Sequence, residues 1–171
     1  MRKIKVYLNV LNRFVHLLIL IILMIVSCAS SKTEESDKII GRSNITDWIL
    51  KSGWDDTLYR KTGFSDDEIK KFRSLSDSKG LRFVIFASST CLECSQSLPY
   101  FFKLLIESNI EDNRINLYGL DDYWEEPSGI FKKYKITEVP IVFIESDSGQ
   151  IILTKKEFTD ITLIINKIEG M

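Results

Sequence analysis

The chain has 171 residues, of which 44% are hydrophobic and 27% charged. That is a globular balance and excludes a disordered or fibrous protein; the length suggests one domain with a small appendage. Lys and Arg total 23 against 24 Asp and Glu, so no strong positive field exists to hold nucleic acid. The charges are unevenly placed. Residues 1–27 carry Arg2, Lys3, Lys5 and Arg13 and no acid; subtracting those four leaves 19 basic residues against 24 acidic in 28–171, a net of −5. The single histidine, His16, lies in the same stretch. Without it the chain has no imidazole, which excludes Ser-His-Asp and Cys-His catalysis and every His-ligated metal site.

Basic residues up to Arg13 are followed by an apolar run of 13 residues from Phe14 to Val26. As a helix it spans roughly 20 Å against roughly 30 Å of bilayer hydrocarbon, too short for a comfortable crossing. A basic start, a short apolar run and small residues describe an export signal. Ile25-Val26-Ser27-Cys28 resembles a bacterial lipobox. The resemblance implies cleavage before Cys28, a diacylglycerol on its sulfur and an acylated amino group. Several acyl chains anchor a protein durably where one does not. The expectation is a lipoprotein signal peptide over 1–27 and a chain lipid-anchored in the cell envelope, facing the extracytoplasmic or periplasmic side. The alternatives are an ordinary secreted protein with a chance cysteine, or an uncleaved anchor. Residues 28–42, rich in Ser, Glu, Lys and Asp at their start, read as a flexible tether.

Residues 43–79 read as a helical extension. Thr46 is a candidate cap for a turn carrying Trp48, Ile49 and Leu50. Ser65 with Glu68 makes a capping box, with Ile69, Phe72 and Leu75 following at helical spacing. Trp48, Trp54 and Phe64 read as packing residues. From Leu81 the texture changes. Leu81–Ala87 is a β-rich run in which Phe83, Val84, Ile85 and Phe86 are consecutive, the mark of a strand buried on both faces. Leu98, Phe101, Phe102 and Leu105 then fall on one helical face. Ile115–Leu120 is a second strand. The acidic loop Asp121, Asp122, Glu125 and Glu126 reads as solvated rather than calcium-binding, and Tyr123 and Trp124 as packing. A short helix ends near Tyr134. Ile141–Ile144 and Gln150–Leu153 form strands joined by the turn Ser146–Gly149. Ile161, Ile164, Ile165 and Ile168 line a last helix. The order is β-α-β-α-β-β-α, an α/β fold with a parallel crossover followed by a hairpin.

Cys91 and Cys94 stand directly after the first strand, spaced C-x-x-C at a helix start. One helical turn brings the two sulfurs together as a reversible disulfide. The unpaired N–H groups there favour a thiolate on Cys91, the attacking species in exchange. Cys94, one turn further in, suits resolution of the mixed disulfide. Structural zinc needs four Cys or His ligands, which the exported chain lacks, and a disulfide within four residues closes too short a loop to stabilise much.

Phe83 through Cys94 resembles the strand, loop and active site of the thioredoxin family. Pro99 matches its helix proline, and Tyr134 through Phe143 its signature before the third strand, with Pro140 on the family's cis-proline. The resemblance covers about residues 80–170. It implies a thioredoxin-like domain over 80–171, with a central mixed sheet flanked by helices. It also implies a substrate groove shaped by Val139 and Pro140. Three departures stand out: Thr90 replaces the usual tryptophan, Ile85 the usual buried acid, and Leu92-Glu93 the usual intervening pair. Leu92 and Glu93 are therefore read as tuning the redox couple, Glu93 by disfavouring a second negative charge beside the thiols.

The reading is a membrane-tethered thiol–disulfide oxidoreductase in which Cys91 attacks and Cys94 resolves. It needs no soluble cofactor and no metal. Its partners are cysteine-containing exported proteins and an upstream dithiol electron donor. The rival is a thioredoxin-fold binding lipoprotein whose C-x-x-C does not cycle, holding Cu(I) or a protein partner. A third possibility is an envelope protein whose contacts are made by 43–79.

Overall fold

A computed structural model describes residues 38–154 and 157–171. The export signal, most of the tether, His16 and Cys28 lie outside the described residues. Among those described, no helix is long and apolar enough to cross a membrane.

The chain enters through a three-residue strand, β1 (Gly41–Ser43), followed by three helices: α1 (Ile45–Lys51), α2 (Thr57–Lys61) and α3 (Asp66–Ser78). Then come β2 (Arg82–Ala87), α4 (Leu92–Glu107), β3 (Ile115–Gly119), α5 (Ile130–Tyr134), β4 (Ile141–Ser146), β5 (Gly149–Leu153) and α6 (Ile161–Glu169). The sheet order is β1-β3-β2-β4-β5. β2 and β3 are parallel, with Ile85 opposite Leu117; β4 is antiparallel to β2, and β5 to β4. From β2 onward this is the β-α-β-α-β-β-α order expected from the sequence. The fold class is thus the thioredoxin-like α/β arrangement that the resemblance implies.

β1 is a correction. Residues 41 and 42, read as the end of a tether, pair antiparallel with β3, Gly41 opposite Gly119. Gly119 has to be glycine, because a Cβ there would lie 2.0 Å from the Ile39 carbonyl oxygen. The cap of α1 is a second correction. Asn44, not Thr46, accepts from the Asp47 N–H at 2.7 Å. The Ser65–Glu68 capping box is present, and α3 ends at Gly80 with φ +58°.

β2 explains the two-sided core. Phe83, Ile85 and Ala87 face a large cluster with Phe72, Leu98, Phe101, Leu105, Ile164 and Ile168. Val84 and Phe86 face the other side, with Leu120, Ile136 and Phe143. Phe72, Phe83, Phe101 and Phe158 form a chain of ring contacts with centroids 5.8–6.1 Å apart. Each such pair adds about 0.5–1.5 kcal/mol beyond area burial. α3 packs on α6 and α2 on α4. Arg114 fastens the end of α3 to β2: Nε donates to the Leu81 carbonyl at 2.8 Å, and the two terminal nitrogens to the Ser76 carbonyl at 2.6 Å and Asp77 at 2.7 Å.

Candidate dithiol site

β2 ends at Ala87, and a short loop of small residues carries the chain into α4. Cys91 is the N-cap of that helix. Its sulfur accepts from the Cys94 N–H at 3.2 Å, so one of the helix's unpaired donors points at the sulfur. The Val139 carbonyl and the Glu93 carboxylate each lie 3.8 Å from Cys91 Sγ, where either can accept its S–H. The loop is shaped from within by the Cys91 N–H donating to the Ser88 carbonyl at 3.1 Å. The Ser88 and Thr90 hydroxyls also pair, at 3.0 Å.

The two cysteines are free thiols with unequal surroundings. Cys91 is half-buried, whereas Cys94 is fully buried. Burial pushes the Cys94 thiol far up, and its hydrogen bond with Cys91 adds to the shift; a backbone hydrogen bond from Ser88 opposes it. β2 itself supplies Ile85, fully buried, apolar and in the same core cluster as Cys94.

The Val139–Pro140 bond is cis. Beside it runs an open groove of about 520 Å³ lined by Glu93, Trp124, Glu138, Val139, Pro140 and Thr154. The fold thus brings Cys91, Glu93, Val139 and Pro140 together, with Cys94 behind them. Leu92 is 68% exposed, an apolar side chain left in solvent next to the reactive thiol. Among the described residues, no group of three or more His, Cys, Asp or Glu is placed to hold a metal ion.

The acidic loop differs from its sequence reading. Tyr123 is 84% exposed, so it does not pack, and Trp124 is a groove wall held at φ +66°. Asp121 builds that turn, its carboxylate accepting from the Tyr123 and Glu125 N–H groups at 2.8 and 2.9 Å. Glu126 is buried and caps α5, accepting from the Ser128 and Ile130 N–H groups at 2.6 Å each. Burial acts to raise its carboxyl, but hydrogen bonds from Ser128, Ile130 and Phe131 win and hold it below the usual range. Spacing gave no signal for Asp121 or Glu126, because a charge run looks alike whether it is solvated or turned inward.

Trp54 packs, as its sequence reading has it, against Trp48 and Phe102, and its indole N–H also donates to the Ser89 carbonyl at 2.8 Å, a bond that no spacing signals. No family model matches the chain, and no curated protein matches it. Among solved structures it is similar to mitochondrial thioredoxin 3 from Saccharomyces cerevisiae in its oxidized form, at 18% identity and a TM-score of 0.37. That match covers 60% of this chain and 90% of the other.

Proposed function

We propose that the protein is a membrane-tethered, extracytoplasmic thiol–disulfide oxidoreductase that reduces disulfides in exported proteins. The observation that carries the reading is the pair of unequal thiols. Cys91 Sγ is half-buried beside Glu93 and the Val139 carbonyl and bonded to a helix-start N–H at 3.2 Å, and Cys94 is fully buried behind it. A partly accessible sulfur that accepts a hydrogen bond is suited to attack, and a fully shielded one to resolve. The tether rests on the Cys28 motif and the basic, apolar stretch before it.

In the reaction, the Cys91 thiolate attacks one sulfur of a substrate disulfide. The S–S bond breaks, the leaving thiolate takes a proton from solvent, and a mixed disulfide forms on Cys91. Cys94 then loses its proton and attacks Cys91 Sγ, which releases the second substrate thiolate. Two electrons pass to the substrate, and Cys91 and Cys94 become a disulfide. A partner dithiol returns the pair to thiols, itself ending as a disulfide.

Val139 and Pro140 form the edge along which an extended substrate lies, with the Val139 carbonyl available to its backbone. The test is reduction of insulin disulfides with dithiothreitol as donor. The unvaried chain should accelerate precipitation of the insulin B chain, Cys91→Ser should not, and Cys94→Ser should accumulate a mixed disulfide on Cys91. Cu(I) uptake with no turnover would replace this reading with the binding module. For the tether, mature protein carrying an unmodified Cys28 by mass spectrometry would remove the lipid anchor from the proposal.

A further inference from the structure

The segment from Ile39 to Trp54 lies far ahead of the dithiol loop in sequence, yet reaches it twice at one residue. Trp54 Nε1 donates to the Ser89 carbonyl at 2.8 Å, and the Ile39 N–H donates to the Ser89 hydroxyl at 3.2 Å. Ser89 stands two residues before Cys91. The indole that makes the first bond is itself fixed. It stacks on Phe102 of α4 with 10° between the ring planes, and Trp48, fully buried, meets it at 5.5 Å near edge-on. The Trp54 backbone N–H donates to the Ser52 hydroxyl at 3.3 Å. The hydrogen bonds inside the Ser88–Thr90 loop give it shape; Trp54 and Ile39 tie it to the helical segment.

We propose that Trp54 is a positioning residue for Cys91, and that the segment 39–54 is a brace belonging to the dithiol site. The indole N–H fixes the Ser89 carbonyl. The fixed loop holds Cys91 Sγ against the Cys94 N–H and beside the Val139 carbonyl. At the residue before Cys91, where the family resemblance leads one to expect a tryptophan, the chain has Thr90; here an indole arrives from a different part of the sequence. Small errors in aligning a nucleophile are costly in rate. The proposal rests on the oxidoreductase reading for its functional meaning, but its geometric content concerns only the reactivity of the Cys91 thiol.

The test uses the full chain and iodoacetamide, which alkylates a thiol whether or not the protein cycles disulfides. Peptide mass spectrometry assigns the adduct to Cys91. Trp54→Phe keeps a ring in the aromatic cluster and removes the N–H. Trp48→Phe is the control: its Nε1 is buried with no hydrogen-bond partner among the described residues, so the change shrinks the same cluster without touching the loop. With circular dichroism unchanged, W54F should alkylate at pH 7 about three- to tenfold more slowly, the range that one lost hydrogen bond allows. W48F should stay within about twofold on the same scale. Measured from pH 6 to 10, the rate profile of W48F should overlay that of the unvaried chain and that of W54F should not, a difference that loss of packing alone does not produce. Equal rates in W54F and the unvaried chain, or equal slowing in W48F, would overturn the proposal. If W54F does not fold, 3-benzothienylalanine placed at position 54 carries the test, because it keeps the bicyclic ring in the cluster and removes the N–H. Slower alkylation is then expected, and an unchanged rate overturns the brace. Insulin reduction on the same samples separates the two readings. An unvaried chain that never cycles, with W54F still slow to alkylate, ends the oxidoreductase reading and keeps the brace. A chain that cycles equally well with and without the indole, alkylating at one rate, does the reverse.

Discussion

The resolving step should depend steeply on pH. Cys94 must be a thiolate to attack Cys91 Sγ, and burial holds its proton on. While a thiol remains far below half ionised, its thiolate fraction rises about tenfold for each unit of pH. With buried, apolar Ile85 in the same core cluster as Cys94, the intramolecular attack should therefore accelerate about tenfold per pH unit from 6 to 9, without a plateau. The assay begins with Cys91 loaded as a mixed disulfide with 5-thio-2-nitrobenzoate. Release of that chromophore at 412 nm reports attack by Cys94 directly. A rate that levels off below pH 8 would refute the reasoning, and would mean that a base beside Cys94 accepts its proton. The same burial has a stability consequence. The folded chain keeps a proton that the unfolded chain releases above about 8.5, the ordinary thiol value. This contribution is complete below that pH. It is lost as pH rises above it toward the folded value, with a slope of at most about 1.4 kcal/mol per unit.

Three further expectations follow from single contacts. Arg114→Met removes the fork at the turn between α3 and β2 and should cost about 1–3 kcal/mol in urea unfolding, the Ser76 carbonyl keeping its bond from the Leu81 N–H; a loss under about 0.5 kcal/mol would place the clamp among ordinary surface substitutions. Glu126→Ala uncaps α5 and should cost about 1–3 kcal/mol by the same measurement. Its lowered carboxyl places the sign: the contribution is present above the unfolded value of about 4.3 and lost as pH falls below it, so the cost of the substitution should fade in acid. Glu93→Gln removes a carboxylate 3.8 Å from Cys91 Sγ, favouring the thiolate and raising the reduction potential. On the scale of exposed charge pairs the shift is about 20 mV upward in glutathione equilibration, and a downward shift would contradict the assignment of Glu93 as a tuning residue.

Periodicity carried the parts of the fold that are long or regular. The consecutive apolar residues 83–87 could pack only with both faces covered, and from Phe83 onward β2 is buried on both. The face of Leu98, Phe101, Phe102 and Leu105 emerged as the buried side of α4. Cys91 and Cys94 were legible because their spacing and their place between strand and helix coincide. β1 was not, since Gly41-Arg42-Ser43 has no alternation and owes its pairing to the β3 edge and the close approach at Gly119. Trp54 was read for its size alone. Its bond to Ser89 joins residues 35 apart and depends on how α1 and α2 are folded back, which no local pattern encodes. Trp124 reads as core by composition, and only the turn built by Asp121 turns it toward the groove.

The pairing of β1 with β3 spans 78 residues of chain, from Gly41 to Gly119. Closing so wide a loop costs entropy before any contact offsets it, whereas β2 and β3 are joined through a helix that forms locally. β1 must thus wait for a partner made much later, and we expect it to dock onto a domain already assembled. Pulsed hydrogen exchange during refolding would then protect residues 115–117 before 41–43; the opposite order would mean that the edge nucleates the sheet. On this account the dithiol loop matures in two stages, its helix and strand first and its outer brace last.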